Sequence, residues 1–195
     1  MDESVGVDFE SLRDLPVAQR LNQRLYPLPS VIALIRRVSG EYLLIERQKA
    51  PYRGKWALVG GKWDFGEPLA QAIEREVREE TGLETALVGL RGIVNERVVA
   101  GDAGCHFLLF VCAMAVADGE AQERNEGPVR WFSQEDMAAL AGSGRMVATD
   151  YAMVERFGDA AGDLAYVEAE VVVALERDTQ EIRRFEVAYQ TLAQG

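Results

Sequence analysis

Apolar residues cluster in short runs along the chain, and the period of these runs predicts a protein rich in β-sheet. The segments SVIALIRRV and EYLLIER are separated only by Ser39 and Gly40, a spacing that predicts a β-hairpin. Downstream, LRGIVNERVV, CHFLLFVCAMAV and VRWFS are also typical of strands. The second of these three segments is apolar on both faces, which indicates a strand in the middle of the sheet.

One segment has a helical period instead. LAQAIEREVREET contains good helix formers between Pro68, which suits a first helical position, and Gly82, which suits a left-handed cap. Its apolar residues recur at helical spacing and predict the face that packs on the sheet. These residues are Leu69, Ala72, Ile73, Val77 and Ala70. Ahead of the helix, the glycine-rich segment APYRGKWALVGGKWDFGEP must turn tightly or bring its backbone close to another group.

The last fifty or so residues continue with a different pattern. After a short helix capped at Ser133, GRMVATDYAMVERF predicts another helix and LAYVEAEVVVAL a strand with one apolar face. The final TQEIRRFEVAYQTLA fits either the second strand of a terminal hairpin or a helix capped near Asp178, and we favour the hairpin. We therefore divide the chain into an N-terminal arm at 1–29, a core at 30–141 and a C-terminal extension at 142–195, which is either part of the same domain or a dimerisation element.

The charge of the chain narrows the set of partners. Of the 195 residues, 32 are acidic and 21 are lysine or arginine, which gives a formal net charge of −11. Such a charge argues against duplex nucleic acid or an anionic membrane as a general partner. No apolar run approaches the roughly 20 residues of a membrane-spanning helix, and the acidic start MDESVGVDFESLRDLP lacks the pattern of a signal peptide. We therefore expect a cytoplasmic protein.

Three acids stand close together on the predicted helix. Glu76, Glu79 and Glu80 lie three and four positions apart and share one corner of the helix, the acidic corner. Two carboxylates about 4 Å apart repel by about 4 kcal/mol at an effective dielectric of about 20. A divalent cation would offset this cost, and magnesium in particular binds carboxylates while sharing the phosphate oxygens of a substrate. For these three residues alone, the alternative is a solvated acidic helix face, which is what most charge runs are.

The whole pattern from Gly61 to Leu83, GKWDFGEPLAQAIEREVREETGL, resembles the signature box of the Nudix hydrolases. That box reads G, five residues, E, seven residues and then R-E-U-x-E-E-x-G-U, where U is a bulky aliphatic residue. Every defined position of the box is satisfied at the right spacing. The matching residues are Gly61, Glu67, Arg75, Glu76, Val77, Glu79, Glu80, Gly82 and Leu83. One departure precedes the box, where Val59 stands at a position that very often holds proline in the family.

The resemblance implies a fold and a reaction. The fold is an α/β/α sandwich with a mixed β-sheet, to which the C-terminal helix and hairpin are an extension. The reaction is hydrolysis of the diphosphate bond of a nucleoside diphosphate linked to another group, with an ADP-ribose-like compound or a nucleoside triphosphate as substrate. In such a reaction, metal ions neutralise the diphosphate, activate a water and stabilise the leaving phosphate.

The resemblance also implies roles for individual residues. Mg²⁺ or Mn²⁺ is expected as the cofactor, and the metal ligands implied are Glu76, Glu79, Glu80 and the Gly60 carbonyl. Glu79 and Arg75 are catalytic candidates, although Arg75 is expected mainly to brace the loop against the helix. The other bracing residues implied are Gly61, Glu67 and Gly82.

The base that accepts the proton of the attacking water is less directly assigned, because family members place it either in the box or in a later loop. Glu126, just before a predicted strand, lies where relatives often supply another metal-binding or basic glutamate. Glu96 and Glu123 are the alternatives. For each of the three, an exposed loop acid is an equally good interpretation.

A locally basic run precedes the glycine-rich segment. Arg47, Lys49 and Arg53, with Lys55, are candidates to receive a terminal phosphate or the distal group of the substrate, and ordinary surface cations are an equally good interpretation. Aromatic rings nearby suit stacking on a base, although some must belong to the core. These rings are Tyr52, Trp56, Trp63 and Phe65. His106, the only histidine, is expected to be a hydrogen-bonded strand residue rather than a catalyst.

A non-catalytic nucleotide sensor or regulator with the same fold is the alternative to an enzyme. Such regulators join the fold to a basic DNA-binding helix, whereas the residues after Gly142 are acidic in balance and end in a predicted strand pair. We therefore expect a small-molecule nucleotide derivative as the partner. A homodimer that pairs through the alternating terminal strand is a further hypothesis.

Overall fold

The structure is a computed structural model that describes residues 27–49, 52–100, 103–118, 120–124, 126–159, 164–174 and 179–190. Within these ranges the chain forms eight strands and three helices. The strands are β1 (Leu28–Ile35), β2 (Tyr42–Glu46), β3 (Trp56–Lys62), β4 (Glu84–Ala100), β5 (Ala103–Asp118), β6 (Val129–Phe132), β7 (Ala165–Ala174) and β8 (Thr179–Gln190). The helices are α1 (Leu69–Thr81), α2 (Gln134–Gly142) and α3 (Ala148–Phe157). Most of the predicted N-terminal arm lies outside the described residues, and Leu28 and Pro29 already belong to β1.

The described strands form one mixed sheet in the order β6-β2-β3-β1-β5-β4-β7-β8. The pairs β1–β5 and β4–β7 are parallel, and the remaining neighbours are antiparallel. β5 lies between β1 and β4, so the prediction of a central strand from its apolar run is confirmed. β4 is longer than predicted and passes through register shifts between Glu84 and Gly92.

Helices cover both faces of the sheet. α1 packs on one face, against residues of β1, β2, β3 and β5, through Ala72, Ile73 and Val77. α2 and α3 pack on the opposite face through Met137, Leu140, Met153, Val154 and Phe157. The α/β/α sandwich implied by the resemblance is therefore confirmed. No helix within the described ranges has the length and apolarity that crossing a membrane requires.

α1 follows the predicted pattern closely. It begins at Leu69, with Pro68 as the residue that precedes the first turn, and ends at Gly82, whose φ of 73° is the predicted left-handed cap. The Gly82 amide donates to the Arg78 carbonyl at 3.0 Å. This cap fixes where the helix ends and therefore where the acidic corner lies.

The hairpin predicted for the first two strands is confirmed at its turn, but the strands are not neighbours in the sheet. β1 and β2 are joined by a tight turn with Gly40 at a φ of 96°, and they meet at an isolated bridge between Arg36 and Tyr42. In the sheet, however, β3 lies between them. β3 can approach β1 this closely because Gly60 has no side chain, since a Cβ there would overlap the Val31 carbonyl. The loop that follows β3 therefore starts from the interior of the sheet.

The helix predicted over residues 144–157 begins later, at Ala148. Ahead of it, Met146 forms a bridge with Trp56 at the start of β3. The Trp56 amide donates to the Arg145 carbonyl and the Val147 amide to the Trp56 carbonyl, each at 2.9 Å. These backbone groups are engaged by strand-type bonds and are not available to a helical turn. The bridge docks the first turn of α3 over β3.

The last two described strands form the terminal hairpin that we favoured. β7 and β8 pair in antiparallel fashion, with Ala169 opposite Phe185. The alternating face of β7 is buried as predicted, and Leu175 lies outside the described residues. The buried residues of this face are Val167, Ala169, Val171 and Val173. β7 also pairs with β4, so the described part of 142–195 continues the sheet of the core.

We expect Phe157→Ala to lower the free energy of unfolding by about 3–5 kcal/mol. Phe157 is 1% exposed, and its ring lies against Gly92 of β4, where a Cβ would overlap it. Removal of the ring leaves a cavity beneath α3. Urea denaturation followed by circular dichroism measures the change, with Val38→Ala as the control because Val38 is fully exposed. Equally small effects in both variants would contradict the packing of α3 on the sheet.

Candidate active site

The two glycines at the end of β3 bring the backbone close to the acidic corner. The Gly60 amide donates a hydrogen bond to Oε2 of Glu80, 3.1 Å away. Gly61 faces Glu76, and a Cβ at Gly61 would overlap the Glu76 carboxylate. Two of the three glutamates of the acidic corner therefore lie against the backbone of Gly60 and Gly61, and the missing side chain of Gly61 makes the room for Glu76.

Arg75 connects α1 to residues 60–67, the glycine loop. Its Nε and Nη2 donate to the two carboxylate oxygens of Glu67, at 2.7 and 2.9 Å, a two-pronged pairing that is both strong and directional. Nη2 also donates to the Lys62 carbonyl at 3.1 Å, and Nη1 donates to Oε1 of Glu76 at 2.7 Å. The guanidinium lowers the pKa of Glu67. Loop and helix are thus held in a fixed relation by one side chain.

The three glutamates of the acidic corner have different environments. Glu80 is 8% exposed, and burial raises its pKa to about 8, with further increases from Glu76 and Glu126. Burial also raises the pKa of Glu76, against the opposing effect of Arg75. The side chain of Glu79 is 59% exposed. Burial therefore disfavours ionisation of Glu76 and Glu80, whereas Glu79 is largely exposed and its Oε2 lies 3.4 Å from Nη1 of Arg75.

In the described part of the chain, no three side chains of Asp, Glu, His or Cys are arranged closely enough to enclose a metal ion. Glu76 is drawn to Arg75, and Glu80 to the Gly60 amide. The carboxylates of the acidic corner therefore share a region without converging on one point.

A small cavity of about 50 Å³ adjoins the acidic corner. Its walls include Arg47, Lys49, Gly60, Glu80 and Glu126. Glu126 is exposed and forms an ion pair with Lys49, with an Nζ–Oε1 distance of 3.0 Å. The fold thus brings together an acid and two cations that lie outside the box, on both sides of it along the chain.

Other residues singled out in the sequence lie elsewhere. Arg53 lines a separate cavity with Lys55 and Arg145, so its position gives no support to a role at the acidic corner. Glu123 is exposed on the segment before β6. Glu96 is buried in β4, at 6% exposure.

The aromatic rings near the loop divide between core, surface and cavity. Trp56 and Trp63 each pack edge-on against a phenylalanine ring. Phe65 is 89% exposed, and Tyr52 lines a larger cavity. His106 is hydrogen-bonded to the Asn95 side chain on β4, as expected for a strand residue.

The cavity lined by Tyr52 has a volume of about 300 Å³ and is larger than the one at the acidic corner. It lies beside the glycine loop and under the first turn of α3. Two buried acids line it, Glu96 from β4 and Asp150 from α3. Oδ2 of Asp150 accepts a hydrogen bond from the Leu58 amide at 2.7 Å. Burial raises the pKa of Asp150 to about 7, and Glu96 adds to this increase.

Asp150 was not singled out by the sequence. An acid in the first turn of a helix is typical of an ordinary helix start, where it interacts favourably with the helix dipole. The position of Asp150 over the cavity depends on the bridge that docks α3 on β3. No local sequence pattern predicts that contact.

Comparison with known proteins gives consistent matches. The family model for the NUDIX domain matches residues 26–157. The ADP-ribose pyrophosphatase of Methanocaldococcus jannaschii is 29% identical over 128 residues, which are 65% of this chain and 74% of that protein. The CTP pyrophosphohydrolase of Escherichia coli is 33% identical over 109 residues, 54% of this chain and 76% of that protein. The crystal structure of the MutT protein from Methanosarcina mazei Go1 superposes with a TM-score of 0.56 at 30% identity and covers 68% of this chain and 94% of that one.

The sandwich fold and these matches together define a hydrolase that acts on phosphoanhydride bonds. Since the family model spans more than half of the sequence, the chain belongs to the Nudix hydrolases. It is a pyrophosphatase of that family.

We expect Gly61→Ala to lower the free energy of unfolding by about 1–3 kcal/mol, because the new methyl group overlaps the Glu76 carboxylate and must displace it. Gly89→Ala is the matched control, since a Cβ at Gly89 on β4 meets no atom within 4 Å. That variant should change stability by about 0.5 kcal/mol or less. Urea denaturation of both variants tests the contact, which would be refuted by equal stabilities.

We expect the protein in a chelating buffer to lose stability as pH rises from about 4.5 to about 8. The folded state keeps a proton on Glu80 up to a pKa of about 8, whereas the unfolded state releases it near 4.5, so the unfolded state binds fewer protons in this window. Asp150 adds a similar decrease that ends near its pKa of about 7.

Glu80→Gln should therefore flatten the pH dependence of the unfolding free energy most clearly between pH 7 and 8, by about 1 kcal/mol per pH unit. Denaturation curves at half-unit pH steps, with EDTA present, measure the slopes. Parallel profiles for the variant and the unmodified protein would show that the fold does not raise the pKa of Glu80.

Proposed function

We propose that this enzyme is a Mg²⁺- or Mn²⁺-dependent pyrophosphohydrolase that cleaves the diphosphate bond of a nucleoside diphosphate linked to another group. The observation that carries the proposal is the buried carboxylate of Glu80, which lies beside Glu76 and Glu126 and accepts a hydrogen bond from the Gly60 amide. Burial of like charges in one place destabilises the protein unless a cation compensates them.

The residues present fit a hard divalent ion. Carboxylate oxygens are the ligands that magnesium and manganese prefer, and the proposed ligands are Glu76, Glu79, Glu80 and the Gly60 carbonyl. When bound, such an ion neutralises the diphosphate and lowers the pKa of a water. Arg75 acts as a positioning residue, because its 2.7 Å bond to Glu76 fixes one of the proposed ligands.

Glu126 is the proposed base. It is exposed beside the acidic corner, where an attacking water has access. Glu126 takes a proton from the water as the water oxygen forms a bond to one phosphorus. The bond from that phosphorus to the bridging oxygen breaks, and the leaving phosphate keeps the electron pair. Lys49, 3.0 Å from Glu126, and Arg47 supply positive charge for the phosphate oxygens in the same cavity.

The substrate proposed first is an ADP-ribose-like compound, with a nucleoside triphosphate as the second choice. One relative is named an ADP-ribose pyrophosphatase and another a CTP pyrophosphohydrolase. These names support a nucleotide derivative as the substrate, but they do not rank the two candidates. β8 is the last strand of the described sheet, and a homodimer that pairs through its outer edge stays a prediction.

We expect Glu80→Gln to reduce kcat/KM by about a hundredfold or more, because the loss of a metal ligand removes several kcal/mol of transition-state stabilisation. The assay measures phosphate products from ADP-ribose, dinucleoside polyphosphates, NADH and nucleoside triphosphates, with magnesium or manganese. Titration of Mn²⁺ by electron paramagnetic resonance should show weaker binding in the variant. Glu135→Gln is the charge-matched control, since Glu135 is exposed in the first turn of α2.

Two results would count against the proposal. A folded Glu80→Gln variant with full turnover would remove the metal-ligand role of Glu80. Absence of product from every substrate with either ion, together with retained nucleotide binding, would favour the nucleotide sensor instead.

A further inference from the structure

Arg53 lines a cavity of about 370 Å³ that shares none of its described lining residues with the two cavities near the acidic corner. Three separate segments of the chain form it. Arg53 and Lys55 come from the turn before β3, Ser143 and Arg145 from the connection between α2 and α3, and Thr179 from the start of β8. The volume suits a small molecule, since such sites typically measure roughly 300–1,000 Å³.

Among the described residues, only positive charges line this cavity. Arg53, Lys55 and Arg145 meet there, and no Asp or Glu is present in the described lining. The two cavities near the acidic corner each contain two acids. A chain with 32 acidic residues against 21 lysines and arginines is not expected to gather three cations by composition alone. The charge of this basic cavity, as we call it, favours an anionic ligand.

Neither arginine of the basic cavity forms an ion pair within the described part of the chain. Nε of Arg145 donates to the Ser143 hydroxyl at 3.1 Å, a contact that orients the guanidinium and leaves its two terminal nitrogens without a described partner. Such a planar pair of donors matches two oxygens of a phosphate or a carboxylate. The two guanidinium groups are therefore available to an anion from solution.

Lys55 supplies a third positive charge from the wall of the cavity. The residue is 6% exposed, and its Nζ donates to the Gly144 carbonyl at 2.7 Å. This bond ties the turn before β3 to the connection between α2 and α3. Because the ammonium is largely removed from water, its charge is weakly screened and attracts an anion in the cavity more strongly than a surface lysine would.

The backbone holds these segments together before any ligand arrives. The Arg145 carbonyl accepts from the Trp56 amide at 2.9 Å. The Gln180 side chain of β8 accepts from the Ala148 amide at 3.1 Å and donates to the Met146 carbonyl. Cations fixed close to one another repel, and an anion that binds between them removes this repulsion. A site arranged in advance also loses little conformational entropy on binding.

We propose that the basic cavity is a second ligand site, which binds a phosphate group either as the free ion or as the monoester of a small molecule. Arg53 and Arg145 pair with the phosphate oxygens, and Lys55 adds its charge. A phosphate group carries about two negative charges near neutral pH, which match the three cations better than the single charge of a carboxylate. The site needs no metal and uses none of the residues to which the proposed function assigns a role.

Titration with inorganic phosphate and with ribose 5-phosphate, in EDTA and followed by calorimetry, tests the site without catalysis. At least one of them should bind, with an affinity that falls as sodium chloride is added. Arg53→Gln and Arg145→Gln should each weaken binding by about tenfold or more, because each removes a charge-assisted contact. Arg183→Gln is the charge-matched control, since Arg183 is exposed on β8 and does not line the cavity.

The two anions distinguish the source of the phosphate group. Tighter binding of ribose 5-phosphate assigns the site to a monoester, and equal or tighter binding of inorganic phosphate assigns it to the free ion. Amide resonances of glycines locate the bound anion in ¹H–¹⁵N NMR spectra. Those of Gly54 and Gly144, which line the basic cavity, should shift on addition of phosphate, whereas those of Gly60 and Gly61 should not.

The inference is overturned if neither anion binds at millimolar concentration, or if folded Arg53→Gln and Arg145→Gln bind like the unmodified protein. Loss of binding in Lys49→Gln, with shifts at Gly60, would also overturn it, because Lys49 lines the small cavity at the acidic corner. If Arg145→Gln does not fold, Arg53→Gln decides, since Arg53 is exposed. Phosphate binding without hydrolysis of any nucleotide would leave this site standing while the proposed function fails.

Discussion

The hydrogen bonds of the Arg75 guanidinium are the interactions on which the geometry of the candidate site depends. The guanidinium binds Glu67 and the Lys62 carbonyl on the glycine loop and Glu76 on the helix. Carboxylates gathered at a partly buried position need a fixed positive charge before any ligand arrives. Arg75 provides it from one side, and its Nη1 also reaches Oε2 of Glu79 at 3.4 Å, while Glu80 is bound by the Gly60 amide. Loop and helix behave as one unit, and the sheet positions the remaining groups around it.

Much of this unit could be predicted from the sequence, because its parts are close along the chain. Good helix formers and the Gly82 cap define α1, and helical spacing then decides which glutamates share a corner. The apolar run of β5 also predicted its central position, whereas periodicity left the terminal segment open between a strand and a helix, and the structure has the strand. The match to the family pattern marked Gly61 as constrained, and the contact with Glu76 gives the physical reason.

Relations between distant segments could not be predicted in this way. The insertion of β3 between β1 and β2 depends on a close approach at Gly60, and the docking of α3 depends on a bridge formed outside the helix. Lys49 and Arg53 are near neighbours in sequence, yet the turn at Tyr52 sends them to different cavities. Glu96 and the first turn of α3 are also distant along the chain, so no local pattern indicates that they face one another.

The two parallel strand pairings have a consequence for the order in which the protein assembles. Leu28 of β1 lies opposite Phe107 of β5, and Gly92 of β4 lies opposite Ala165 of β7, so each pairing closes a long loop of chain. Contacts of such large sequence separation slow folding. The glycine loop and α1 are contiguous and need no such closure, whereas Glu126 joins them only once β6 has paired with β2. The catalytic site proposed above is therefore completed late in refolding, after α1 and its acidic corner have formed.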